Sequence, residues 1–71
     1  MYPTLESVFN ATHEQLARWQ RFLPSPGRSA VGKPNAEDVR IVELEILEHI
    51  LHRLADKGGM TPEISKRIGL G

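Results

Sequence analysis

Between Ala36 and Lys57 apolar residues return every three or four positions, with acids and bases filling the gaps. That interval matches an α-helix of about 3.6 residues per turn, so the spacing predicts one long helix over residues 36–57. Asn35 stands where a cap is needed, Glu37 and Asp38 occupy the first turn, and Gly58 follows the last. A polar cap, early acids facing the helix dipole and a trailing glycine are consistent start and stop signals. At about 100° per residue, Val39, Val42, Leu44, Ile46, Leu47, Ile50, Leu51 and Leu54 cover an arc of roughly 200°, twice what an ordinary surface helix needs. Both flanks of this helix therefore require a cover.

Shorter apolar runs predict three more helices. Leu5, Val8 and Phe9 share one helical face, with Pro3 suited to a first turn, giving a helix over residues 3–9. In "ATHEQLARWQRFLP", Thr12 and Gln15 have capping-box spacing, and Leu16, Trp19 and Leu23 form a stripe with Phe22 beside it. Pro24 forces the residue before it toward extended backbone, so this helix spans residues 13–23. After Gly58 and Gly59, Thr61 caps a helix over residues 62–68, with Pro62 first and Ile64 and Ile68 as its apolar side. The segment "PSPGRSAVGKPN", residues 24–35, is rich in proline, glycine and serine and reads as a connecting loop. The expectation is an all-α bundle of three or four helices in a single domain over residues 1–71.

With 71 residues the chain sits near the lower size limit for a self-sufficient core. It has no cysteine, hence no disulfide staple and no thiol chemistry. Self-association is the remaining route to more buried area. Val39, Val42, Ile46, Ile50 and Leu54 are expected to form the core or a dimer seam, while Leu44, Leu47 and Leu51 meet helix 13–23 or the C-terminal helix.

Charge refines this picture. Nine basic and nine acidic residues cancel, which disfavours a dedicated nucleic-acid binder. They are nevertheless segregated: residues 12–34 carry Arg18, Arg21, Arg28 and Lys33 against Glu14, a net of +3. Residues 37–56 carry six acids against Arg40 and Arg53, a net of −4. Such a division can hold two segments of one chain together or pair two copies. No apolar run reaches the roughly 18 residues of a membrane span, and no signal peptide is visible, so a cytoplasmic protein is expected.

Candidate chemistry is thin. Gly27, Gly32 and Lys33 have the G-x-x-x-x-G-K spacing of a phosphate-binding loop, but Pro34 stands where a hydroxyl should hold magnesium. The plainer reading is a turn-rich connector. Glu45, Glu48, His49, His52 and Asp56 share the polar side of the long helix at spacings that suit a surface zinc or nickel ion. Yet "ELEILEHILHRL" lacks H-E-x-x-H, and His13 is the one further histidine. A solvated face supported by local charge pairs explains these residues, so no metal and no cofactor are expected. Ser25, Ser29 and Ser65 have no activating histidine in their sequence context, and no enzyme is expected. "ARWQRFL" interleaves Arg18 and Arg21 with Trp19 and Phe22, a mixture that stacks on bases, anchors a partner or fills a core. In so small a domain the core reading comes first for the aromatics. Arg18, Trp19, Arg21, Arg28 and Lys33 are retained as partner-binding candidates.

Two resemblances bear on function. "MTPEISKRIGLG" resembles the second helix and turn of helix-turn-helix proteins, with Glu63, Ile64, Ile68, Gly69 and Leu70 at matching positions. That likeness implies DNA contact through Lys66 and Arg67. The recognition helix should follow Leu70, where only Gly71 remains, so the likeness implies helix-pair packing before it implies groove reading. Taken together, "RFLPSPG", "GKP" and "GGMTPEISKRIGLG" are similar to small, mostly uncharacterised proteins of tailed bacteriophages and prophages. This similarity implies an accessory role in the bacterial host cytoplasm, such as inhibiting or redirecting a host protein. The leading expectation is a homodimeric protein–protein interaction module. The alternative is a helix-turn-helix-like DNA-binding transcriptional regulator.

Overall fold

The computed structural model describes residues 2–69 and is all-helical. It contains α1 (Leu5–Phe9), α2 (His13–Phe22), a 3-10 turn (Arg28–Ala30), α3 (Ala36–Asp56) and α4 (Pro62–Arg67). Among the described residues there is no strand. The 3-10 turn sits inside the segment expected to be plain loop.

Threonine side chains start three of the helices. Thr4, Thr12 and Thr61 accept hydrogen bonds from the backbone N–H groups of Ser7, Gln15 and Ile64 at 3.1, 3.1 and 3.2 Å. Each satisfies a donor that the first turn leaves without an intrahelical partner. Because Thr4 takes the cap, α1 begins at Leu5 and Pro3 lies outside its first turn. Asn35 does hold the cap position of α3, but its side chain makes no capping bond. Its backbone, at φ −99° and ψ 18°, is already turned toward helix, whereas side-chain capping needs extended backbone. Pro24 has its expected effect: Leu23 is extended at ψ 141° and α2 ends at Phe22. α3 stops in a Schellman turn, where the N–H of Gly59 reaches Leu54 O at 2.8 Å and that of Gly58 reaches Ala55 O at 3.1 Å. Gly58 takes the positive φ, 106°, that this turn demands.

α3 is the spine. The N-terminal segment runs beside it in the same direction, since Tyr2 borders Val39 and Val42 while Phe9 meets His49 and Arg53. α2 returns the opposite way, with His13 at Gly59 and the following loop reaching Glu43. α4 packs chiefly against α2. The core between them consists of Val8, Leu16, Ala17, Ile46, Ile50, Leu54, Ile64 and Ile68, with Trp19 and Leu23 partly buried against it.

Two expectations about burial are corrected. Phe22 is not a core residue; it is 60% exposed, because it lies about 120° around α2 from the buried Leu16. Leu44 and Leu51 do not bury themselves against α2 or α4 but remain 38% and 43% exposed. The inward side of α3 is the Ile46–Ile50–Leu54 row, an arc of about 80°. The molecule measures 41 × 23 × 14 Å, so its thinnest dimension holds little more than two helix layers at the usual spacing of about 8–10 Å. Its radius of gyration of 13.0 Å exceeds the about 11 Å of a compact domain this size. A spine covered from one side keeps its other side bare.

Ile50 is fully buried, so Ile50→Ala should cost about 2–5 kcal/mol and leave little folded protein, whereas Leu44→Ala should cost less than about 1 kcal/mol in the monomer. Urea unfolding of the two variants, followed by circular dichroism at a protein concentration low enough to preclude association, measures the contrast.

Candidate interaction surface

Ile41, Leu44 and Leu51 follow one another along the outward side of α3 at i, i+3 and i+10, and are 53%, 38% and 43% exposed. Glu48 occupies the intervening i+7 position, so the row has the three-four spacing of a helix–helix seam. Leu47, half-buried, marks the edge where this row passes into the packed flank. The total accessible surface, 4900 Å², exceeds the about 4450 Å² expected of an 8.0 kDa monomer.

Around that row the surface is acidic. Glu48 stands within the row and Glu45 about 40° beyond Ile41, while Asp38 and Asp56 are exposed farther round the helix. Both cations of α3 are occupied within the chain. Arg40 donates to Glu37 at 2.6 and 3.4 Å, and this hydrogen bond and charge hold the Glu37 carboxyl below its ordinary value. Both partners are open to solvent, so the pair adds little to stability. What it adds is present above the ordinary carboxylate range and is lost as pH falls through the lowered Glu37 value. Arg53 donates to Phe9 O at 3.0 Å and lies 5.4 Å from the centroid of the Phe9 ring. It thereby clamps the end of α1 onto α3.

The residues singled out in the sequence scatter over three environments. Of the expected seam, Ile46, Ile50 and Leu54 belong to the core, Val39 is half-buried, and Val42 is 55% exposed. Val39 and Val42 line a groove of about 440 Å³ with Tyr2, Pro3 and Asp38. The Tyr2 hydroxyl donates to the Pro24 carbonyl, and burial raises its pKa, with the nearby Glu43 adding to the effect. Among the partner-binding candidates, Trp19 packs on the core, while Arg18 is shared between Glu14 at 3.5 Å and the carbonyl of Arg67 at 3.4 Å. Arg21, Arg28 and Lys33 are exposed. So are Lys66 and Arg67, but Ile64 and Ile68 of the helix-turn-helix-like segment are buried in the core and α4 rests on α2 rather than chiefly on α3. Leu70, the last position of that likeness, lies outside the described residues.

The phosphate-loop spacing resolves into packing. Gly27 N–H donates to the Glu43 carboxylate at 2.9 Å, so its donor faces an anion the chain already supplies. Gly27 has φ +81°, and a Cβ there would come within 2.8 Å of Arg40 Cβ. Only glycine permits both the conformation and the approach. Glu43 was legible as one more acid of α3; nothing in its spacing announced that it seats the loop. Of the histidines, His49 sets its ring edge to face against Phe9 at 5.5 Å and His52 is exposed. Among the described residues no group of three or more His, Cys, Asp or Glu side chains is arranged to hold a metal ion.

Gly27→Ala should destabilise the fold by at least about 1–2 kcal/mol from the left-handed backbone alone, before the overlap with Arg40 is counted. For a domain of this size that is a loss of roughly 4–8 °C in Tm per kcal/mol, readable by thermal unfolding. Comparison of the chain with protein-family models, with characterised proteins and with solved structures found no match.

Proposed function

We propose that this chain is a non-enzymatic protein–protein interaction module that pairs with itself through α3 and acts on another protein. The observation that carries the reading is the bare Ile41–Leu44–Leu51 row on the longest helix of a small domain. Apolar area withdrawn from water contributes about 25 cal/mol per Å², and specific interfaces bury about 800 Å² on each partner. A helix of 21 residues is about 31 Å long, which gives a contact of that size the necessary reach. Scattered surface leucines are ordinary, but a spaced row on one helix face is the form a helix partner recognises.

The similarity of "RFLPSPG", "GKP" and "GGMTPEISKRIGLG" to small phage and prophage proteins supports the bacterial cytoplasm as the setting and a host protein as the target. In this reading the module inhibits or redirects that host protein. Among the described residues no helix is long and apolar enough to cross a membrane. A DNA-binding regulator acting through Lys66 and Arg67 is the competing reading.

Sedimentation equilibrium tests the first claim. Wild-type protein should show a monomer–dimer equilibrium in the micromolar range, and Leu44→Glu or Leu51→Glu should sediment as a folded monomer throughout. Wild type that stays monomeric at all accessible concentrations removes the self-pairing claim. Salt-sensitive retardation of duplex DNA that disappears in a Lys66→Ala/Arg67→Ala variant would replace the module by the regulator.

A further inference from the structure

Resting on the self-pairing reading above, we propose that the two copies dock crosswise. The acidic, apolar outward side of α3 in one protomer would meet the basic loop carrying Arg28 and Lys33 in its partner, and the reverse contact would close the dimer.

The charge separation is not spent inside the chain. Among the described residues the ion pairs are Arg18–Glu14 and Arg40–Glu37, each confined to a single helix. The bridge between the basic and acidic segments is instead a backbone donor, Gly27 N–H, on Glu43. Asp38, Glu45, Glu48 and Asp56 on one side, and Arg21, Arg28 and Lys33 on the other, make no ion pair within the described chain and stay exposed. Arg40 and Arg53, which would otherwise neutralise α3, are engaged by Glu37 and Phe9. A single copy thus presents a negative face and a positive edge.

The placement of the loop favours the same docking. The loop lies against α3 at Arg40, whose side chain abuts Gly27. On the helix, Leu51 and Leu44 follow Arg40 by only about 20° and 40° of rotation at 100° per residue. The basic loop and the apolar row therefore share one flank of the molecule. Two patches on the same flank can meet their counterparts about a two-fold axis, each contact occurring twice. Face-to-face pairing of α3 with α3 has the opposite electrostatics, because it brings Glu45 and Glu48 of both copies into one seam. Like charges at an interface cost affinity, while complementary ones also fix orientation.

Complementary charge reversal decides the matter. None of the side chains of Arg28, Lys33, Glu45 and Glu48 makes a hydrogen bond or ion pair in the described chain, so Arg28→Glu/Lys33→Glu and Glu45→Lys/Glu48→Lys should both keep the wild-type circular dichroism spectrum when diluted to monomer. Crosswise docking turns each variant's own contacts into like-charge pairs, so each alone should dimerise at least about tenfold more weakly than wild type. Mixed one to one, they should form a heterodimer, because both of its contacts are again complementary. Raising salt should weaken wild-type and mixed dimers alike. An Arg28→Glu/Lys33→Glu protein that dimerises as well as wild type, or a Glu45→Lys/Glu48→Lys protein that dimerises better, overturns crosswise docking while leaving self-pairing through α3 in place. Monomeric wild type overturns both.

Discussion

Everything in this molecule hangs on one contact: the Ile46–Ile50–Leu54 row of α3 pressed against Val8 of α1 and Leu16 and Ala17 of α2. No disulfide assists it, and no polar or charged side chain is buried among the described residues. The domain is therefore held by dispersion and water exclusion along a seam about 80° wide, with Ile64 and Ile68 extending it at one end. Polar contacts decide instead where segments lie. Glu43 seats the loop, Arg53 seats the end of α1, and the threonine hydroxyls set where helices begin.

Because that seam uses one side of the spine, the other side follows as a remainder. Helices of five, ten and six residues are too short to wrap a partner of 21, and they gather where the deepest apolar residues already are. The outward side keeps Ile41, Leu44 and Leu51 in the company of acids. A surface of that composition resists indiscriminate clumping, since the carboxylates repel, yet it offers a spaced apolar row to a partner with matching cations.

The helices were readable in the chain because their signals are local. Thr12 and Thr61, Pro24 and Gly58 each act within a few residues, and each does in the structure what its chemistry requires. Thr4 is equally local, and its cap, rather than Pro3, sets where α1 starts. The width of the apolar arc on α3 was readable too. Which part of it faces inward was not, since a helical wheel records directions but not where the neighbours stand. Leu44 and Leu51, expected against α2 or α4, stay exposed instead. Glu43 shows the same limit from the polar side: its partner is Gly27, sixteen residues away, and only the fold brings them together.

One small joint has a further chemical consequence. The His13 ring places Nε2 2.6 Å from the carbonyl oxygen of Gly59, pinning the first turn of α2 to the glycine turn after α3. A carbonyl only accepts, so the imidazole must carry hydrogen on that nitrogen, which selects the Nε2–H tautomer whenever the ring is neutral. This histidine thus pins α2 to the α3–α4 turn through a single ring donor, and a side chain of the same size without that N–H would leave the Gly59 carbonyl without it.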